Sequence, residues 1–354
     1  MDADVVIAGA GLAGACAALS LSRSSRVVVF EAGRAGEGAS GAAAGLVNPF
    51  MGRKARPAWR HAEALGALHA TLDEAGAPDL FLASGLVRPA RDAPQSDVFE
   101  ASARAHDLGW LGAEAAAERW PAVRSPHGAL WVAEGGSVDL SALVRACLRT
   151  ARQRGAVLRE GCRVEGWRRD GSGLVVATSG GEVRTQRLVL TVGDGARRLA
   201  ALGALPLHRV KGQTVVLERT PTTPADLPAV SGGAYVVPRP GHIVVGATFE
   251  HHFDDLAPDP EATRRLVDQA HALVPSLGGS VVEARAGVRL TVPTGASPRR
   301  LPVAGPLPGE PGVWVLTGLG AKGLMTAPLL ARLLPSALDG VAALPAEIRA
   351  PLGA

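Results

Sequence analysis

The chain opens with an apolar run, Val5 to Ala8, then a glycine-rich break and the alanine- and leucine-rich stretch Leu12 to Ser22. A second apolar run, Arg26 to Phe30, follows. Short apolar runs without alternation fit strands covered on both faces of a parallel sheet, so this opening predicts strand, turn, helix, strand. Further helices are expected at Pro57 to Ala75, around Asp97 to Asp107, from Ser137 to Leu148, at Pro260 to Leu273 and at Thr326 to Leu334. Strand signals fall at Leu80 to Val87, Ala156 to Trp167, Gly173 to Thr178 and Arg187 to Gly193, with Asp170-Gly171 as a turn. The middle is strongly β: Val210 to Leu217, Ala234 to Val237, His242 to Thr248 and Val281 to Leu290 are valine-rich runs punctuated by Pro and Gly. This order predicts an α/β fold: a discontinuous Rossmann-like domain (residues 1–85, 137–207 and 300–354) with an inserted antiparallel β-rich domain (86–136 and 208–299).

Val5 to Ser22 is uncharged and long enough to raise a membrane span or secretory signal. Asp2 and Asp4 stand where a signal carries basic residues, and the glycines have another explanation, so no span is expected. Gly9-Ala10-Gly11-Leu12-Ala13-Gly14 is G-x-G-x-x-G set between strand and helix. There the first glycine permits the tight turn, the second lets backbone approach a pyrophosphate, and the third allows close helix–strand packing. The helix N-terminus offers N–H groups and a positive dipole to phosphate. Glu31, ending the second strand, stands where a carboxylate accepts from a ribose hydroxyl. A second triplet, Gly36, Gly38 and Gly41, lacks a preceding strand and a suitably spaced acid. One dinucleotide site is therefore expected, which disfavours a reductase binding both FAD and NAD(P)H.

The residues beyond this fingerprint resemble the D-amino-acid oxidase and glycine oxidase family across nearly the whole chain. Gly38-Ala39-Ser40-Gly41, continuing AAAGLVNP to Pro49, resembles its second flavin-contacting loop. Leu190-Thr191-Val192-Gly193 resembles its mid-chain flavin strand, with Asp194 in place of a small residue, and Arg163-Val164-Glu165 resembles the strand that meets adenine. Gly318 through Leu324 fits the last flavin loop. The fingerprint and the resemblance imply FAD held by residues 9–14, Glu31, Ala32, Ser40, Gly41, Ala42, Ala44, Gly45, Val164, Val192, Gly193, Gly318, Gly320, Ala321, Lys322, Gly323 and Leu324. With the cysteines away from the expected flavin-ring region and no histidine in the Gly38 to Gly45 loop, the FAD is expected to be non-covalent. In the inserted domain Lys211-Gly212-Gln213 resembles the family's basic-Gly-Gln strand beside the flavin. Tyr235 and Arg289 match the tyrosine and arginine that hold a substrate carboxylate. A guanidinium fork meets a carboxylate in two parallel hydrogen bonds and a phenol adds a third. The plainer alternatives are a half-buried strand tyrosine and a surface ion pair. Lys322 near a glycine-rich helix start would stabilise negative charge on reduced flavin.

Two segments depart from the family pattern: LTVPTGASPRRLPVAG after Arg289, and the basic Asn48-Pro49-Phe50-Met51-Gly52-Arg53-Lys54. The implied reaction is oxidation of an amine or amino-acid C–N bond by hydride transfer, with oxygen or another acceptor taking the electrons. The alternatives are a dehydrogenase of the same fold, a tRNA-modifying amine oxidase of the kind fused to a methyltransferase, for which this sequence has no counterpart, and a non-catalytic flavin-binding redox protein.

Composition adds three limits. A net charge of +4 without a long basic run gives no nucleic-acid signature and would suit an anionic small molecule. Cys16, Cys147 and Cys162 form no CxxC or metal spacing, consistent with buried thiols and a cytoplasmic location. His251-His252, on successive positions, would face opposite ways in a strand. Homo-oligomerisation stays open.

Overall fold

The structure is a computed structural model describing residues 2–297 and 299–349. Its first sheet carries five parallel strands in the order Val157–Arg159, Val27–Phe30, Asp2–Ala8, Gly181–Leu190 and Val313–Thr317. The first half of Gly181–Leu190 also pairs antiparallel with Gly173–Thr178, which pairs with Val164–Asp170. Helices Leu12–Leu21, His61–Glu74, Leu140–Gln153 and Gly323–Leu338 share one apolar core with one face of this sheet. Every residue of Leu12–Leu21 is buried, which explains its membrane-like composition: a helix covered on all sides has no polar face to show. No helix among the described residues is long and apolar enough to cross a membrane.

The second sheet has eight strands, ordered Val281–Thr291, His208–Glu218, His242–Gly246, Tyr235–Arg239, Ala229–Ser231, Leu86–Pro89, Ala129–Val132 and Gly109–Leu111. All neighbours are antiparallel except Ala229–Ser231 with Leu86–Pro89. Period two divides its residues. Val215, Leu217, Val236, Ile243 and Val245 bury themselves with Leu266 and Ala270 of helix Pro260–Leu273. The opposite face carries Gly212, Thr214, Gly246, Tyr235 and Arg289, and it meets the first unit: Thr214 Oγ1 donates to the Ala42 carbonyl at 2.8 Å. Arg239, buried on this face, donates to the carbonyls of Ala44 (2.8 Å) and Val138 (2.5 Å) and ties the 44–45 loop to the sheet.

Several element boundaries differ from the sequence expectation, each for a local reason. Leu80 to Val87 is two strands in different sheets, Phe81–Leu82 and Leu86–Pro89. Gly85 between them has φ +67°, and a Cβ there would collide with the Trp131 ring. Ala156 to Trp167 likewise breaks at Gly161 (φ +66°), whose N–H donates to Gly33 while that of Cys162 donates to Glu31. The chain thus arches over the end of Val27–Phe30 before pairing again. The helix expected from Pro57 starts at His61, because Arg56–Pro57 pairs with Phe50–Met51. The last helix starts at Gly323 and runs to Leu338. Cys16 and Cys147 are buried, and the neighbouring Cys147 thiol together with burial pushes the Cys16 thiol well up, as suits an inert core pair, while Cys162 is only half-buried.

Candidate active site

The glycine turn sits between the Asp2–Ala8 strand and the Leu12–Leu21 helix, with Gly9 at φ +100°. A Cβ on Gly9 would lie 2.5 Å from the Thr191 carbonyl oxygen, and one on Gly14 only 1.8 Å from the Gly9 carbonyl oxygen. Both glycines are therefore demanded by backbone packing. Gly11 is different: a Cβ there would touch only Ser40 Oγ, at 3.4 Å. Protein packing gives no reason for glycine at this position, whereas a phosphate group approaching the first helical turn does. That turn leaves N–H groups without intrahelical partners. Ser40 Oγ accepts from the Leu12 N–H at 3.0 Å, and Ala13 follows in the same turn. The residues present thus fit a dinucleotide pyrophosphate.

Glu31 lies at the same turn. One carboxylate oxygen accepts from the Ala10 N–H at 2.7 Å and the other from the Gly33 N–H at 3.0 Å. Ala32, between these contacts, is exposed. Val164 is buried where the arch after Gly161 rejoins the sheet. Val192 and Gly193 (φ +52°) follow Thr191, whose hydroxyl donates to the carbonyls of Ala8 and Gly9, both at 2.9 Å. Asp194 makes a bidentate pair with Arg209 at 2.6 and 2.8 Å, linking this loop to the second sheet.

The short helix Ala39–Ala42, with Gly41 half-buried in it, joins the two units. Ser40 reaches the 9–14 turn, while Ala39 and Ala42 press on Gly287, where a Cβ would come within 3.0 Å of Ala39 Cα. Gly45 (φ +69°) leaves no room for a side chain beside the Val138 carbonyl, and Ala44 packs with Val237 and Val244. From the other end, Leu319 bridges to Thr291, and Gly318 and Gly320 have φ of +70° and +55°. Ala321 is exposed, and Gly323 and Leu324 begin the last helix. The Lys322 ammonium donates to the Arg299 carbonyl at 2.7 Å, and burial with the nearby Arg299 and Arg300 charges pulls it below the ordinary lysine range. The turn at residues 9–14, the helix at 39–42 and the loop at 318–324 are therefore connected through the Val281–Thr291 strand, which carries Arg289.

Arg289 and Tyr235 lie flat on this face because glycine stands beneath each. A Cβ on Gly212 would meet Arg289 Nη2 at 1.7 Å; one on Gly246 would meet the Tyr235 hydroxyl at 2.7 Å. Gly246 is Tyr235's partner across the ladder, a contact that single-sequence reading does not anticipate. Arg289 Nη2 donates to the Thr248 carbonyl at 2.8 Å, and the exposed Phe249 ring stacks over the guanidinium at 4.3 Å. Burial lowers the Arg289 pKa and pushes that of Tyr235 up to about 12 against the opposing pull of Arg289. Lys211 and Gln213 flank Gly212 but point to the other face. Lys211 Nζ donates to Ala257 at 2.8 Å, and Gln213 Nε2 donates to Asp259 and Thr263. In Lys211-Gly212-Gln213 the glycine thus serves the site, and its neighbours fasten the segment leading into helix Pro260–Leu273.

Comparison with known proteins identifies the family. A family model described as FAD dependent oxidoreductase matches residues 4–336. The chain is 33% identical to the glycine oxidase of Pseudomonas aeruginosa over 364 residues, covering 96% of each. The fold matches the crystal structure of glycine oxidase from Geobacillus kaustophilus with TM-score 0.88 and 26% identity, covering 99% of this chain and 98% of that one. It matches iminodiacetate oxidase from Chelativorans sp. BNC1 with TM-score 0.84 and 27% identity, covering 99% of each. With nearly its whole length matched in sequence and in fold, this chain belongs to the FAD dependent oxidoreductase family.

Proposed function

We propose that this protein oxidises the C–N bond of an amino acid or N-substituted amino acid whose carboxylate is held by Arg289 and Tyr235. The supporting observation is the pair of glycine shelves, Gly212 and Gly246, that seat a guanidinium and a phenol on the face turned toward the cofactor loops. FAD would be held by the 9–14 turn, Glu31, the Ala39–Ala42 helix and the 318–324 loop, and when bound it accepts the hydride equivalent from the carbon bearing the amine. The remaining steps belong to substrate and chain. Arg289 and Tyr235 fix the carboxylate and so orient the α-carbon. With its pKa pushed up to about 12, Tyr235 donates a hydrogen bond and does not act as a base near neutral pH. The amine reacts in its neutral form, and the imine product is hydrolysed by water to an oxo acid and an amine or ammonia.

Glycine oxidase and iminodiacetate oxidase among the similar proteins favour a small carboxylate-bearing amine. The test is anaerobic mixing of the yellow protein with a panel of amino acids, N-alkyl glycines and simple amines, followed by admission of oxygen. The reading predicts flavin bleaching by members that carry a carboxylate, and recovery of colour with peroxide formation. A panel that leaves the flavin oxidised throughout contradicts it. Bleaching reversed only by an artificial acceptor would instead mark a dehydrogenase.

A further inference from the structure

The second sheet continues past Tyr235 to a basic cavity that the carboxylate clamp does not use. Ser231 lies opposite Tyr235, and Arg88 follows Val87, the partner of Val230 on the next strand. Tyr235, Ser231 and Arg88 therefore stand on adjacent strands and on one face, with Arg88 two strand spacings, roughly 10 Å, from Tyr235. There Arg88, Arg91, Arg53, Asn48, Ser231 and Gln95 help line a cavity of about 210 Å³.

This cavity is built rather than incidental. Gln95 braces it, its Oε1 accepting from the Arg91 N–H at 3.1 Å and its Nε2 donating to the Arg53 carbonyl at 3.0 Å. Arg88 is 5% exposed and stacks on Phe99 at 4.9 Å. It donates to the carbonyls of Phe50 and Gly52, which leaves its Nε buried without a partner. Arg88 makes no ion pair among the described residues, and burial beside Arg91 pushes its pKa down to about 10. Among the described residues the ion pair at this rim is that of Arg53 with Asp92, at 3.6 Å, and Asp92 already accepts from the Gln95 N–H. Three guanidinium groups against one engaged carboxylate leave an excess of positive charge, and a buried guanidinium without a carboxylate is costly unless an anion offsets it.

We propose that this cavity receives a second anionic group, a carboxylate or phosphate, at the far end of the amine substrate, and that Arg53, Arg88 and Arg91 select for it. The proposal rests on the carboxylate clamp placing one end of the substrate at Tyr235 and Arg289. The preferred substrate is then an N-substituted amino acid whose substituent crosses about two strand spacings before ending in the anion.

The experiment uses the holoenzyme with N-methylglycine, N-pentylglycine, N-(carboxybutyl)glycine and N-(phosphonobutyl)glycine. We expect kcat/KM for the carboxybutyl or phosphonobutyl compound to exceed that for the pentyl compound about tenfold or more. The better of the two identifies the anion. That preference should collapse in Arg91→Ala and in Arg53→Ala, both at the exposed rim, where folding is not at stake. Calorimetric binding to oxidised holoenzyme of the amine-free isosteres octanedioate and 7-phosphonoheptanoate, which cannot reduce the flavin, should weaken in parallel. Equal kcat/KM for the pentyl and anionic compounds, or a preference that survives the Arg53→Ala/Arg91→Ala double variant, overturns the proposal. If N-methylglycine reduces the flavin and the long anionic compounds do not, the distal site is wrong while the carboxylate clamp stands. If no amine reduces it, the clamp reading has failed, and calorimetry alone decides whether the arginine cavity binds the anion.

Discussion

A Cβ added at Gly14 would strike the backbone of its own turn, 1.8 Å from the Gly9 carbonyl oxygen; one added at Gly212 would strike a side chain, 1.7 Å from Arg289 Nη2. The first glycine exists so that a helix can pack on a strand. The second exists so that a guanidinium can lie across a sheet. Gly11 is a third kind, with only Ser40 Oγ within reach of an added Cβ. The comparison separates what the fold needs from what a ligand needs, and it predicts that similar substitutions fail in different ways.

The largest effect is expected at Gly14. Gly14→Ala forces backbone apart at the centre of the parallel sheet and should abolish soluble, folded protein, measured as yield and cooperative melting. Gly11→Ala should fold with nearly the wild-type melting temperature of apoprotein but purify colourless. If Gly11→Ala retains its flavin, the distinction between the two glycines is wrong.

Next comes Arg289→Lys, which keeps the charge and loses the planar fork. Removing a bidentate charged contact worth about 2–4 kcal/mol predicts a fall in kcat/KM of very roughly thirty- to a thousandfold, with colour and fold retained. Gly212→Ala, by displacing the same guanidinium, should give a loss of the same kind without touching Arg289 itself. Normal kinetics in Gly212→Ala would show that Arg289 need not lie where the shelf holds it.

Glu31→Ala removes an acceptor from the Ala10 and Gly33 N–H groups at the turn. At roughly 1.5–3 kcal/mol for a charge-assisted bond, FAD affinity should drop about ten- to a hundredfold, and substrate preference should return when FAD is in excess. The smallest change is expected for Tyr235→Phe, about tenfold in kcat/KM for one neutral donor. Tyr235 is the sole tyrosine, so near-ultraviolet phenolate absorbance reads it alone. In the folded protein it should titrate near 12 rather than 10. The sign follows: the half-buried neutral phenol contributes stability at pH below about 10, and this is lost as pH rises from 10 toward 12. A folded-state titration near 10 would show the phenol to be solvated.

Much of the cofactor side was legible from local spacing. Strand, three glycines, helix, strand and Glu31 all fall within the first 31 residues, so the expectation for each residue follows from its neighbours in sequence. The proposed substrate face resisted because its logic runs across strands. Gly246 matters through its ladder partner Tyr235, and Gly212 through Arg289, a relation created by the register of two strands. Period two explains Lys211-Gly212-Gln213 only once the faces are known. The buried Arg88 and Arg239 were also missed, since an arginine at the edge of an apolar run reads as a strand end; here both bind carbonyls of neighbouring loops. Gly85 and Gly161 divided two expected strands for reasons of packing and of long-range hydrogen bonding that have no sequence-local sign.

The carboxylate clamp can be tested most directly with two substrates differing only in that group. Under anaerobic conditions glycine and methylamine, each over a full concentration range, would be compared for the rate of flavin reduction in the wild-type holoenzyme. The account predicts reduction by glycine, none measurable by methylamine, and loss of the glycine advantage in Arg289→Lys. Equal reduction by both amines, or a glycine rate indifferent to Arg289, would contradict it.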